Sequence, residues 1–249
     1  MPQTQQVENL TVPWDFHSHI LPGIDDGSDS VQTSLDMLEE SARQGVRAMV
    51  ATPHFYPVQE APASFLQRRE AAVAELLAGG YDVQIHPRVY VGAEVAYFPG
   101  IGRCEDLREL CVQGTRLVLI EMPFCAWTQT MLDDVVSVRT KMGLIPALVH
   151  IDRYEAARDH AVLRRLVEDG VVVQINASAL LGALSGKKML RLLQNGNAQL
   201  IGSDCHNCTT RPQRMAQAVE RIAKRADEEL LSQLHEFGSF LLDGAKPIA

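Results

Sequence analysis

The chain has 249 residues, 46% of them hydrophobic, and 31 acidic against 23 basic side chains give a net charge of −8. That apolar fraction excludes a predominantly disordered chain, and the acidic balance argues against a general nucleic-acid binder. No run approaches 18 consecutive apolar residues, the polar start lacks a basic and apolar leader, and the five cysteines are irregularly spaced; the expectation is a cytoplasmic protein with no membrane insertion.

Residues 1–11 read as an N-terminal leader and 12–249 as a single domain. The first strand-like run, Val12–Phe16, precedes a helical stripe of Val31, Leu35, Leu38 and Ala42. Further apolar runs follow at Ala48–Thr52, Val83–Val91 and Arg116–Ile120. A second stripe, Trp127, Met131, Val135 and Val138, leads into runs at Ile145–His150, Val171–Asn176 and Gln199–Gly202. The stripes Met215, Val219, Ile222, Ala226 and Leu230, Leu234, Phe237, Leu241 close the chain. One buried stripe per helix and several runs that are apolar without alternation suit strands covered on both faces. About seven strands, most followed by a helix, predict an α/β fold with a mostly parallel sheet. The placement of the polar residues favours a distorted parallel β/α barrel over an open sheet.

Those polar residues fall at the carboxyl ends of the runs, the face on which parallel α/β architectures build sites. His17 and His19 follow the first run, His54 the second and Glu94 the third. Glu121 and His150 end the next two, Asn176 ends the sixth, and Asp204 and His206 follow the last. A single His-x-His pair is weak evidence, although residues i and i+2 of one strand point the same way. The whole set is strong: imidazoles and carboxylates on one rim suit Mn²⁺, Fe²⁺ or Zn²⁺. With Asp26 the candidate ligands number nine, too many for one ion, so two or three ions are expected. A divalent ion there would lower the pKa of a bound water enough to make it a nucleophile. Arg153 and Arg211 lie just beyond His150 and His206, where a guanidinium could fork onto phosphate oxygens.

The segment Asp15-Phe16-His17-Ser18-His19-Ile20-Leu21-Pro22-Gly23-Ile24-Asp25-Asp26-Gly27 resembles the opening motif of the polymerase-and-histidinol-phosphatase (PHP) superfamily. More narrowly, it resembles the bacterial manganese-dependent protein-tyrosine phosphatases of capsule and exopolysaccharide operons, the CpsB/YwqE type. The likeness continues through Thr52-Pro53-His54, Gly92-Ala93-Glu94, Glu121-Met122-Pro123-Phe124, His150-Ile151-Asp152-Arg153-Tyr154, Gln174-Ile175-Asn176-Ala177 and Gly202-Ser203-Asp204-Cys205-His206. It implies a PHP-type barrel with Mn²⁺ as the first choice of metal and Fe or Zn as alternatives. It also implies that His17, His19, Glu94 and Asp204 hold one ion, that Glu94 bridges to a second held by Glu121 and His150, and that Asp26, His54 and His206 hold a third. Arg153 and Arg211 match the phosphate-binding arginines. The substrate so implied is phosphotyrosine on a protein, the tail of a membrane-associated tyrosine kinase. Two departures stand out: Asp152 where Glu is commoner, and a longer leader.

Three rivals use the same residues differently. A small-molecule phosphatase of the same superfamily, such as one for histidinol phosphate, would share nearly all the ligands. A metal-dependent amidohydrolase also opens with His-x-His, but many carry a strand lysine as bridge, and no lysine here ends a strand. Cys205 to Arg211 spells the Cys-x5-Arg of thiol phosphatases, a mechanism that needs a low-pKa thiolate. Phe55, Tyr56 and Tyr97 follow candidate ligands and are the predicted aromatic neighbours of a substrate ring.

Overall fold

The computed structural model describes residues 14–226 and 228–249; the leader at 1–11 lies outside them. The first element is strand β1 (Asp15–Ser18), followed by helix α1 (Val31–Arg43) and strands β2 (Ala48–Ala51) and β3 (His54–Phe55). Helix α2 (Pro62–Ala78) leads to β4 (Arg88–Val91), β5 (Glu94–Ala96) and β6 (Leu117–Glu121). Then come α3 (Gln129–Thr140), β7 (Ile145–Leu148), α4 (His160–Glu168), β8 (Val172–Asn176), α5 (Ser185–Gln194) and β9 (Leu200–Gly202). Helices α6 (Met215–Arg225) and α7 (Glu228–Leu241) finish the chain.

Every strand pairing is parallel, in the orders β1-β2-β4 and β3-β5-β6-β7-β8-β9. β2 and β3 are two halves of one path across the sheet, as are β4 and β5, joined where Gly92 N–H donates to the Ala51 carbonyl and Glu94 N–H to that of Pro53. An isolated bridge between Ser18 and Cys205 sets β1 beside β9, so the sheet curls into a distorted barrel. Among the described residues the expected seven strands become nine segments. The second and third paths break at Thr52-Pro53 and Gly92-Ala93, and a proline cannot donate to a ladder. The predicted run Val83–Val91 is strand only from Arg88, because 83–86 turn, with His86 N–H on the Asp82 carbonyl.

Strand period explains why the site sits where it does. Ala48 and Val50, Tyr90, Leu117 and Leu119, Val172 and Leu200 share one apolar cluster, with Leu241 and Leu242 beneath. The intervening residues, Met49, Val89, Val91, Val118, Ile120, Val173 and Ile201, pack in the outer cluster with the helices. Continuing the inner face by twos from Tyr90, Leu119, Val172 and Leu200 reaches Glu94, Glu121, Asn176 and Asp204. The candidate ligands thus stand on an apolar plug. Gly202 makes room among them: a Cβ there would lie 2.5 Å from the Cβ of His17 and 2.7 Å from Gln174 Nε2.

Candidate metal centre

His17 and His19 come from the end of β1, and both are buried. Their Nε2 atoms are 3.1 Å apart, and His17 Nε2 lies 3.1 Å from Glu94 Oε2 and 3.8 Å from Asp204 Oδ1. His19 Nε2 is 3.3 Å from Glu94 Oε2 and 3.6 Å from Asp204 Oδ1. On the other side, Glu94 Oε1 faces His150 Nε2 at 2.7 Å, which is 3.5 Å from Glu121 Oε1. Asp26 Oδ1 sits between His54 Nε2 at 3.4 Å and His206 Nε2 at 3.3 Å. His54 Nδ1 also reaches Glu94 Oε2 at 3.0 Å. One buried carboxylate therefore touches four imidazoles. All nine expected ligands meet on one rim, eight of them buried or half-buried and Asp26 exposed.

Three groups have donor atoms mutually within 4.8 Å: His17, His19, Asp204; His54, Glu94, Glu121; and His19, Asp26, His54, His206. The partition differs from the expected one: His54 rather than His150 joins Glu94 and Glu121, Glu94 is absent from the group of His17, and His19 and His54 each belong to two groups. The donor chemistry suits divalent ions, and the hydrogen bonds behind the ligands set their tautomers. His19 Nδ1 faces Asp25 Oδ2 at 2.8 Å, and His206 Nδ1 faces the Asp204 carbonyl at 3.0 Å. With the proton on Nδ1, each ring turns the lone pair of Nε2 into the cluster, as metal-bound histidines do. His206 Nε2 is buried and makes no hydrogen bond.

The charges are arranged to keep the carboxylates ionised. Burial opposes ionisation of Glu94, but the His17 charge and hydrogen bonds from His150, His17 and His19 hold it well below the usual range. Asp204 is lowered to about 2, burial being outweighed by His17, Arg153, His19 and Arg211. For His19, burial is outweighed by hydrogen bonds and charge from Asp25 and Glu94, which raise it to about 10. His150 is raised to about 9 against burial by Glu121 and Glu94. His206 goes the other way, to about 4, through burial and the charges of His19 and Arg211.

Supporting residues were less visible in the sequence. Asp25 also accepts from Gly27 N–H and His54 N–H at 3.0 Å each, tying the first motif to the second. Buried Asp15 accepts from His17 N–H, Ser203 N–H and Gln213 Nε2, which locks β1 to the loop carrying Asp204. Asn176 Nδ2 donates to Asp204 Oδ2 at 3.0 Å, and His150 N–H donates to Gln174 Oε1 at 2.6 Å. His150 and Asp204 are the two non-glycine residues with positive φ among those described, at 35° and 53°, a strained backbone of the kind found at functional sites.

Arg153 and Arg211 stand at the rim, partly exposed. Arg153 Nη2 donates to Asp204 Oδ2, and Arg211 Nη2 to Asp204 Oδ1 at 2.9 Å. The Arg211 loop is held by Asn207 Oδ1, which accepts from the N–H groups of Thr209, Thr210 and Arg211. The thiol rival does not fit: Cys205 is buried in the bridge to Ser18. Burial first, and then the Asp15 charge, push its pKa far above the usual thiol value. Of the expected aromatic neighbours, Phe55 is buried against Phe65. Tyr97 spends its hydroxyl on Asp134 Oδ2 at 2.9 Å, while Tyr56 does lie over His54, ring centroids 5.2 Å apart. Among the described residues no helix is long and apolar enough to cross a membrane.

Comparison with known proteins points to metal-dependent tyrosine phosphatases. Tyrosine-protein phosphatase YwqE of Bacillus subtilis is 30% identical over 236 residues, covering 92% of this chain and 91% of that protein. Tyrosine-protein phosphatase CpsB of Streptococcus pneumoniae is 31% identical over 229 residues, covering 85% and 90%. A solved structure from work on B. subtilis YwqE and S. pneumoniae CpsB, described there as unique metal-dependent tyrosine phosphatases, matches with a TM-score of 0.80. It has 28% identity and covers 93% of this chain and 95% of that one. The family model for capsular polysaccharide synthesis, CpsB/CapC, matches residues 13–237, and the chain belongs to that family.

Proposed function

We infer that the chain is a metal-dependent phosphatase that hydrolyses phosphotyrosine on proteins. The observation that carries this reading is one buried carboxylate, Glu94, in contact with His17, His19, His54 and His150 beneath two rim arginines. His17, His19, Asp204, Glu94, Glu121, His150, Asp26, His54 and His206 would hold two or three ions, with Mn²⁺ the first choice. Such ions supply Lewis-acid charge and acidify water at neutral pH. Arg153 and Arg211 bind the phosphate oxygens and offset the charge that spreads over them in the transition state. A phenolate, whose conjugate acid has a pKa near ~10, leaves with little help from an acid, which favours aryl over alkyl esters. The deep burial of Cys205 leaves the thiol out of the chemistry. The family's description is capsular polysaccharide synthesis, and the protein partner we assign, following the resemblance of the motifs, is a phosphotyrosine tail of a membrane-associated kinase. It would be met in the cytoplasm by the one catalytic unit spanning residues 12–249.

The test is phosphate release from phosphotyrosine and phosphoserine peptides and from histidinol phosphate by chelator-treated protein, with and without Mn²⁺. Release restored by Mn²⁺ from the phosphotyrosine peptide is expected. Activity that survives the chelator and dies with a thiol alkylator would overturn the metal reading. Release from histidinol phosphate alone would replace the substrate. In the same assay, Arg153→Ala or Arg211→Ala lowers kcat/KM by about 100-fold while metal content stays at the wild-type level; a loss of metal in step with activity would move these arginines from phosphate binding to support of Asp204.

A further inference from the structure

The loop after β6 leaves Phe124 66% exposed beside the buried His150 of the cluster. The loop is held in place: Cys125 N–H and Trp127 Nε1 both donate to the Pro123 carbonyl, at 2.8 Å and 3.2 Å. Tyr154 packs under it, its ring centroid 5.2 Å from Phe124 and 5.0 Å from Trp127. The Phe124 ring runs nearly parallel to that of His150, at 10° and 6.4 Å. Phe124, Cys125, Ala126, Arg153, Tyr154 and Glu155 line a cleft of about 230 Å³. A cavity of roughly 150 Å³ is enough for benzene, so a phenyl ring fits. One wall of this cleft is aromatic, and another carries the guanidinium assigned to phosphate.

We propose that this cleft is the ring pocket of the site, in which Phe124 and Tyr154 hold the aryl group of a phosphotyrosine side chain while Arg153 holds its phosphate. The assignment rests on the phosphatase reading above and adds the residues that select an aryl ester. Offset or edge contacts between rings add affinity beyond the area they bury, and the fixed loop means little order is lost on binding. An alkyl phosphate can reach Arg153 but leaves the cleft empty. Tyr56, over His54 on the β3 side, is the competing platform.

Binding separates these possibilities without relying on turnover. Calorimetry of Mn²⁺-loaded protein with phenylphosphonate and methylphosphonate should show tighter binding of the phenyl compound. Phe124→Ala should weaken phenylphosphonate about threefold to tenfold and leave methylphosphonate unchanged, and Phe124→Tyr should restore the preference. On a phosphotyrosine peptide the same factor should appear in KM and not in kcat. Equal weakening of both phosphonates, unchanged phenylphosphonate binding, or a selective loss from Tyr56→Ala instead would overturn the assignment. A phenyl preference that depends on Phe124, in a protein that releases phosphate from no ester, would support the ring pocket and sink the phosphatase reading alone.

Discussion

Glu94→Gln should lower turnover of a phosphotyrosine peptide by about 1,000-fold or more, with loss of bound metal and no change in far-UV circular dichroism. Glu94 is 1% exposed, and its two oxygens face His17, His19 and His54 on one side and His150 on the other. An amide keeps the shape and removes the charge. It also replaces an acceptor oxygen by an N–H donor, which cannot accept from a protonated imidazole N–H. Removing one preorganised electrostatic group from a reacting centre costs about 100-fold to 1,000-fold in turnover, and losing the ions that this carboxylate would hold adds to that, which sets the expected size. The fold should survive, because Val95 and Ala93 on either side keep their packing and the ladder from β5 to β6 uses backbone atoms. Metal content by plasma mass spectrometry and steady-state kinetics at saturating Mn²⁺ check it. Activity within tenfold of wild type would remove Glu94 from the centre of the site. A full complement of metal with turnover lost would instead make Glu94 a group that acts in the reaction without holding an ion.

Much of this arrangement could be read from residue order because two rules act together. Parallel strands expose one common end, and a period of two carries the inward face from Leu117 and Leu119 to Glu121 and from Val172 to Asn176. The stripes expected for α1, α3, α6 and α7 match those helices to within a few residues. Helix α2 escaped because its buried stripe, Phe65, Arg69, Ala72 and Leu76, includes an arginine. Arg69 is buried to donate to the Gly92 carbonyl at 2.9 Å, a tertiary role that no local pattern announces. Helices α4 and α5 are short, nine and ten residues, and offered too few turns to establish a period. The three aromatics that follow ligands in the sequence part ways for a related reason. Alternation turns Phe55 outward into the helices and Tyr97 is drawn onto α3 by Asp134, whereas Tyr56 lies over His54. Phe124 stood in a recognised motif, but its exposure follows from the path of the loop after Glu121, which depends on Trp127 and Tyr154. The roles of Asp15 and Asp25 were likewise hidden, since both act through contacts with distant backbone.

The stabilisation given by Mn²⁺ should grow as pH rises from 6 to 9. In chelator-treated protein the carboxylates of the cluster are balanced by protons on the imidazoles. His19 is raised to about 10 by Asp25 and Glu94 against burial, and His150 to about 9 by Glu121 and Glu94 against burial. Both folded values exceed the unfolded value near ~6.5. The stability these protons contribute is therefore fully present below about pH 6.5 and is lost as pH climbs through about 9 to 10. Ions reverse the dependence, because a ligand imidazole must be neutral, so protons compete with metal at low pH and leave the field to it at high pH. Two curves of opposite slope result: thermal midpoints in chelator fall between pH 6.5 and 9, while midpoints with Mn²⁺ hold or rise. For His150 alone the lost proton is worth on the order of 3 kcal/mol by pH 9, enough to move the chelated midpoint by several degrees in a chain of this size. Scanning fluorimetry at pH 6, 7.5 and 9 in chelator and in Mn²⁺ reads both curves. A gap between them that stays constant or narrows with pH would mean that the ions do not displace these protons. The imidazoles would then be holding the carboxylates rather than a metal.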